Sequence, residues 1–168
     1  MLAAMAAATT RHARPEDERA LRTIDHLTWS PLASPAPAPP PERPFFRPGV
    51  EPEDVLVAEL VDGGAIAGYV HLGPVMALES AAHVLEIKGL AVDPAHQGQG
   101  FGRLLLEAAA AEARARDARR LTLRVLSPNA AARALYTAAG FTVEGALKEQ
   151  FRLEDAYVDD VLMARELT

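Results

Sequence analysis

A glycine-rich stretch in the middle of the chain has the composition of a phosphate-binding turn. It runs from residue 93 to residue 103 and reads DPAHQGQGFGR. An apolar segment typical of a strand precedes it, and a segment rich in helix-forming residues follows. Glycine has no Cβ, so backbone N–H groups can approach a ligand closely, and the N-terminus of a helix attracts negative charge. The stretch therefore predicts a cradle for a pyrophosphate group.

Three phosphate-binding patterns can be compared with this stretch. A dinucleotide-binding turn requires GxGxxG; Gly98 and Gly100 fit, but Arg103 occupies the third glycine position. A P-loop requires a lysine directly after its last glycine, and this sequence has none there. The pattern Q/R-x-x-G-x-G/A after Val-Asp-Pro fits at Gln97, Gly100 and Gly102. The alternative interpretation is that the glycines are needed only for a tight turn between the strand and the helix.

A second pattern lies further along the chain, at residues 127–141, and reads SPNAAARALYTAAGF. It places Tyr136 on a helix that Asn129 could cap. The alternative is that both residues are structural, with Tyr136 packing on the sheet and Asn129 capping the helix. In their order and spacing, the two patterns resemble the cofactor-binding elements of the GNAT superfamily of N-acetyltransferases. The resemblance covers residues 84–141.

The resemblance implies acetyl-CoA as the co-substrate, no metal, and direct attack of a primary amine on the thioester. The strand before the turn, here Leu90, Ala91 and Val92, would bind the pantetheine arm and polarise the thioester carbonyl through its backbone amides. Asn129 would contact pantetheine or an ordered water, and Tyr136 would protonate the leaving thiolate. The residues implied to hold the pyrophosphate are Gln97, Gly98, Gln99, Gly100, Phe101, Gly102 and Arg103. The chain has no cysteine, so it has no cysteine nucleophile.

A base must remove the proton from the amine, and Glu86 is its first candidate. It lies eleven residues before Gln97, and some family members carry a glutamate at that offset. An ion pair with Lys88 is the alternative, since the two residues share a face of a strand. The family branch that acetylates ribosomal-protein N-termini carries a glutamate five residues before the asparagine, where this chain has Arg124. That difference argues against this substrate class. Weaker base candidates are Asp25, His26 and His83.

Composition limits the other possibilities. With 168 residues, we expect a single domain over 1–168. The net charge of −6 argues against a nucleic-acid partner. No apolar run approaches the roughly 18 residues of a membrane helix, so we expect no membrane partner and a cytoplasmic location. Eight of the 13 prolines lie between residues 31 and 48, which predicts a loop.

The order of elements predicts an α/β fold, with a central mixed, mostly antiparallel sheet and helices on both faces. We expect a frayed end over 1–8 that runs into a first strand, and a first helix beginning near Pro15. The remaining expected elements are strands at 55–61, 66–72, 84–92 and 119–126, helices at 103–116 and 130–139, and short closing strands at 141–143 and 161–165.

The acceptor amine is less clearly indicated. The segment from 144 to 160 is rich in acidic residues and resembles bacterial members that acetylate small amines, amino acids or protein N-termini. An acidic rim would attract a cationic amine, whereas a solvated charged hairpin is the alternative. The proline loop and Trp29 would form the opposite wall. A non-catalytic acyl-CoA sensor and another acyl group are alternatives, and we expect a homodimer formed through a sheet edge or the C-terminal strands.

Overall fold

The computed structural model describes residues 7–167, in which one seven-stranded sheet carries helices on both faces. The strands are β1 (Ala8–His12), β2 (Val55–Leu60), β3 (Ile66–Pro74), β4 (Val84–Val92), β5 (Arg120–Leu126), β6 (Thr142–Leu153) and β7 (Ala156–Glu166). The helices are α1 (Glu18–Thr28), α2 (Phe101–Ala115) and α3 (Ala130–Ala138). Short 3-10 turns occupy 15–17, 52–54, 79–81 and 94–96. Most of the expected frayed end, residues 1–6, lies outside the described part.

The strand order is β1-β2-β3-β4-β5-β7-β6. Every neighbouring pair is antiparallel except β4 and β5, which run parallel. Helix α2 connects these two strands, as a parallel crossover requires. The prediction of a mixed, mostly antiparallel sheet with helices on both faces is confirmed.

The pairing between β4 and β5 is short. Residues 84–87 pair with 120–123, and the ladder stops there. Strand β4 stays paired with β3 as far as Val92, and β5 stays paired with β7 as far as Leu126. The two strands therefore diverge, and the backbone of 88–92 that faces β5 has no partner strand. A bulge accompanies the divergence: Ile87 pairs with Leu72 and Gly89 with His71, so Lys88 is the extra residue.

Two hydrophobic cores hold the helices against the sheet. On one face, α2 buries six residues at helical spacing, and α3 adds three partly buried residues. On the other face, Leu21 and Ile24 of α1 pack with Val55 and Val57. Among the helices of residues 7–167, none is both long and apolar enough to cross a membrane.

The C-terminal hairpin differs from the sequence prediction. We expected short strands at 141–143 and 161–165, but β6 and β7 extend the hairpin over residues 142–166. Strand β6 is an edge strand whose side chains are mostly exposed. An edge strand that covers no core lacks the alternation of apolar residues by which strands are recognised. The other expected strands and helices agree with the structure to within about two residues, except that α1 begins at Glu18 after a 3-10 turn and β1 is short.

Residues 29–51 form a long loop, with one isolated bridge between Arg47 and Val50. The Glu18 carboxylate of α1 accepts hydrogen bonds from the backbone N–H groups of Phe45, at 2.7 Å, and Phe46, at 2.9 Å. The indole N–H of Trp29 donates to the Ala36 carbonyl at 3.1 Å. These contacts hold the loop against α1.

We expect Glu18→Ala to release this loop. A carboxylate that accepts two backbone hydrogen bonds contributes about 1–3 kcal/mol, so the free energy of unfolding should fall by roughly that amount. Urea denaturation measures this change, and chymotrypsin should cut faster at Phe45 and Phe46. The control is Glu16→Ala, because Glu16 is exposed and lies in the 3-10 turn that precedes the same helix. Equal effects of the two substitutions would contradict this account of the loop.

Candidate active site

Two cavities flank the divergence of β4 and β5. The first, here called the turn cavity, has a volume of about 500 Å³ and lies between β4, the glycine turn and α3. The second, here called the loop cavity, has a volume of about 470 Å³ and lies between α1, the loop 29–51, β3 and β4. Both cavities are lined by Leu90, Ala91 and Tyr136. A molecule in one cavity can therefore meet a molecule in the other beside these three residues.

The glycine turn is built to present backbone donors. Gly98 and Gly100 have φ angles of 74° and 88°, in the left-handed region that favours glycine. The amide of Gln97 donates from Nε2 to the Val92 carbonyl at 3.1 Å, which ties the turn to the end of β4. In α2, Leu104 N–H donates to the Gly100 carbonyl at 3.0 Å. The three amides before Leu104 have no intrahelical acceptor and are available to an anion.

Gly102 serves the packing of two helices. A Cβ built on Gly102 would lie 3.0 Å from Cδ2 of Leu135, which is on α3. Helices α2 and α3 can therefore approach closely at the N-terminus of α2. This approach brings Tyr136, the residue after Leu135, to the wall of the turn cavity.

Ten of the residues singled out from the sequence line the turn cavity. They are Leu90, Ala91, Val92, Gln97, Gly98, Gly100, Phe101, Gly102, Arg103 and Tyr136.

Gln99, Asn129 and Glu86 line neither cavity. Gln99 donates from Nε2 to the Ala95 carbonyl at 3.4 Å. Asn129 accepts from the Ala132 N–H at 3.2 Å and caps α3.

Glu86 lies where β4 is still paired on both sides, opposite Gly73 of β3 and Thr122 of β5. The structure therefore does not bring Glu86 together with Tyr136.

Tyr136 is the acidic group where the two cavities meet. Its side chain is largely buried between α3 and the sheet, with its ring 6.1 Å from that of Phe141. Burial raises the pKa of Tyr136 to about 12. The phenol is thus protonated throughout the neutral range and can donate a hydrogen bond or a proton.

Buried polar groups of β3 line the loop cavity, and the sequence reasoning missed them. Tyr69 donates from its hydroxyl to the Asp25 carboxylate at 2.8 Å. Burial, followed by the charge of Asp25, raises the pKa of Tyr69 above its usual value. Burial also lowers the pKa of His71; the charge of Asp54 opposes this shift, and the positive charges of Lys88 and Arg47 reinforce it. The available signal was two polar residues at alternate positions of an otherwise apolar strand.

The expected acidic rim does not border the loop cavity. None of the acidic residues between 144 and 160 lines it. Glu144 forms an ion pair with Arg120, and Asp160 is buried beside Arg124. Trp29 and the proline-rich part of the loop do line the cavity, on the side away from β4.

A sequence model described as the acetyltransferase (GNAT) family matches residues 21–141. The chain therefore belongs to this family, and the resemblance seen in the two sequence patterns is confirmed.

Relatives include the [ribosomal protein bS18]-alanine N-acetyltransferase of Escherichia coli (strain K12), 40% identical over 75 residues, or 45% of this chain and 51% of that protein. The L-methionine sulfoximine/L-methionine sulfone acetyltransferase of Salmonella typhimurium (strain LT2) is 36% identical over 89 residues, or 53% of this chain and 50% of that protein. The chain thus spans about half the length of these curated relatives. The yncA protein of Salmonella typhimurium, whose structure was solved with its cofactor acetyl-CoA, is 25% identical with a TM-score of 0.78, and the match covers 96% of this chain and 95% of that one.

We expect His71 to make stability depend on pH. Because its pKa is lowered in the folded chain, an unfolded histidine binds a proton more readily below about pH 6.5. The free energy of unfolding should therefore fall as the pH drops below 6.5, and His71→Gln should remove this component. Urea denaturation between pH 5 and 8 measures the slope. His26→Gln, at an exposed position, is the control, and equal pH slopes for the two variants would refute the prediction.

Proposed function

We propose that the chain is an acetyl-CoA-dependent N-acetyltransferase, which transfers an acetyl group to a primary amine by direct attack in a ternary complex. The observation that carries the proposal is the meeting of the two cavities at Leu90, Ala91 and Tyr136. The turn cavity would hold acetyl-CoA, and the loop cavity would hold the amine. Holding both reactants side by side supplies a large part of the rate acceleration.

The residues of the turn cavity fit coenzyme A at both of its binding elements. The glycine turn and the start of α2 offer free amides to the pyrophosphate. The unpaired part of β4 that lines the turn cavity, Leu90 to Val92, offers backbone donors and acceptors to the amides of the pantetheine arm, much as a partner strand would. A backbone N–H of β4 beside the thioester would stabilise the negative charge that develops on its carbonyl oxygen.

Tyr136 is the proposed acid. When the carbon–sulfur bond breaks, its phenol donates a proton to the departing thiolate, and the acetyl carbon forms its new bond to the amine nitrogen. With a pKa of about 12, the phenol carries that proton at neutral pH. Asn129 caps the helix that carries Tyr136, and we propose that it acts by positioning this helix.

The amine must lose a proton before or during attack. His71 lines the loop cavity, and its lowered pKa leaves an uncharged imidazole that can accept a proton. Glu86 lines neither cavity, so it would need a water molecule to relay the proton. We therefore assign the base to His71, with Glu86 as the alternative.

The names of the relatives point to two kinds of acceptor, a protein alanine residue and a small amino-acid analogue. Because Arg124 stands where the ribosomal-protein branch carries a glutamate, we propose that the acceptor is a small molecule or a peptide other than a ribosomal-protein N-terminus. An acyl-CoA sensor without turnover is the alternative and would bind acetyl-CoA without releasing thiol. A homodimer formed through the exposed edge strand β6 and a cytoplasmic location remain predictions.

We expect Gly98→Ala to weaken acetyl-CoA binding without unfolding the chain. The new methyl group would meet no atom within 4 Å, but it would stand on a residue that lines the turn cavity. We expect the dissociation constant from calorimetric titration with acetyl-CoA to rise by about tenfold or more, because a Cβ keeps the phosphate from the amides.

Gly63→Ala is the matched control for Gly98→Ala. It has a φ of 86°, no neighbour within 4 Å, and no contact with either cavity. Both substitutions should cost about 1–2 kcal/mol of backbone strain. Equal acetyl-CoA affinity in the two variants would show that the glycine turn does not bind acetyl-CoA.

Tyr136→Phe should slow turnover while leaving acetyl-CoA binding within about twofold of normal. Loss of an acid typically costs about 100-fold or more in rate, and thiol release over a panel of amines measures it. Tyr157→Phe, on the exposed side of β7, is the control. Normal turnover in Tyr136→Phe would show that the Tyr136 phenol does not act as the acid. Saturable acetyl-CoA binding with no thiol release from any amine would favour the sensor.

A further inference from the structure

We propose that the acceptor amine carries an anionic group, such as a carboxylate, and that Arg47 and Lys88 bind this group in the loop cavity. The inference rests on the proposed function and names the substrate class of the same site. It selects a small zwitterionic acceptor of the amino-acid kind.

The charges that line the loop cavity are unbalanced. Four cationic side chains face it, those of Arg43, Arg47, Lys88 and Arg124, against one carboxylate, that of Asp25. A purely cationic acceptor would meet net repulsion there, whereas a molecule with an additional negative group would be attracted.

Two of these four cations already have anionic partners. Arg43 donates to the Asp25 carboxylate at 3.2 Å, and Arg124 pairs with buried Asp160. Across residues 7–167, no ion pair involves Arg47 or Lys88. Asp25 is occupied further, because it accepts the hydroxyl of Tyr69. The cavity therefore presents two uncompensated positive charges.

A hydrogen bond holds Arg47 in position, whereas Lys88 is exposed and only its stem rests on the sheet. The guanidinium of Arg47 donates from Nη1 to the Phe45 carbonyl at 2.7 Å, which leaves the rest of its planar fork for a carboxylate. The stem of Lys88 lies across Gly73, where a Cβ would come within 2.8 Å of the lysine Cε. Both cations lower the pKa of His71, against the opposite effect of Asp54, whose carboxylate is already paired with Arg116.

The spacing along β4 limits the size of the acceptor. Lys88 lies two residues before Leu90, a distance of about 7 Å along a strand. The anionic group would bind near Lys88 and Arg47, and the amine would reach the junction beside Leu90 and Tyr136. The proposed acceptor is therefore small, with its amine and its anionic group only a few bonds apart, as in an amino acid.

Trp29, the chain's single tryptophan, lines the loop cavity and can report binding there. Its fluorescence would be titrated with the proteinogenic amino acids, with the α-carboxamide of each, and with a tripeptide amide beginning in alanine. Saturating coenzyme A would be present. The same compounds would be offered with acetyl-CoA in the thiol-release assay.

We expect at least one free amino acid to bind about tenfold or more tightly than its carboxamide, as a charge-assisted hydrogen bond to the missing oxygen would give. Arg47→Ala and Lys88→Met should each remove most of this preference and leave acetyl-CoA affinity unchanged. Arg47→Lys should retain part of it. Because Arg47 also contacts its own loop, Lys88→Met provides the test that does not depend on the loop.

Exposed cations outside the cavity provide the controls. Lys148→Met and Arg152→Ala should leave the preference for the free acid intact. Carboxamides or the tripeptide amide that bind as tightly as the free acids, or amino acids that leave Trp29 unaffected, would overturn the proposal.

The fluorescence titration and the thiol-release assay together distinguish a failure of the anion site from a failure of the proposed acetyl transfer. Thiol release confined to amines without an anionic group would overturn the anion site and leave acetyl transfer standing. Specific binding of free amino acids, lost in Lys88→Met, with no thiol release from any amine would support the anion site and overturn acetyl transfer.

Discussion

The divergence of β4 from β5 is the constraint on which both cavities depend. Two parallel strands that stayed paired would satisfy each other's backbone groups and leave no room between them. Here the ladder ends at Ile87 and Leu123, and the bulge at Lys88 accompanies its end. The energetic cost of unpaired peptide groups is thereby concentrated at one place, where a ligand with its own amides can offset it.

The two walls of the site are made rigid in different ways. On the side of the turn cavity, hydrophobic packing is responsible, since α2 buries a continuous stripe and Gly102 lets α3 approach. On the side of the loop cavity, charge adds to packing, since Glu18 and Asp25 hold a proline-rich segment that buries Phe45 and Val50 in the second core. The first wall should thus be insensitive to ionic strength, whereas salt should weaken the second.

Much of the fold and of the turn could be predicted from the sequence, because both depend on local patterns. The glycines at 98 and 100 and the helix after them follow from short-range geometry. The loop cavity could not be predicted in this way. Its floor combines Tyr69 and His71 of β3 with Asp25 of α1, which are far apart in sequence and come together because α1 packs on the sheet. The prediction of an acidic rim failed for the same reason, because Asp160 of β7 forms an ion pair with Arg124 of the neighbouring strand β5.

The bulge at Lys88 also limits where substitutions can alter the preference for an acceptor. The residue that interrupts the strand ladder is the same residue that presents a positive charge to the loop cavity. An insertion or deletion that moved the bulge along β4 would reverse the faces of the residues beside it. Arg47, in contrast, stands on a surface loop where insertions and substitutions are tolerated. New acceptor preferences should therefore arise by exchanging the loop as a replaceable module, while the strand remains fixed.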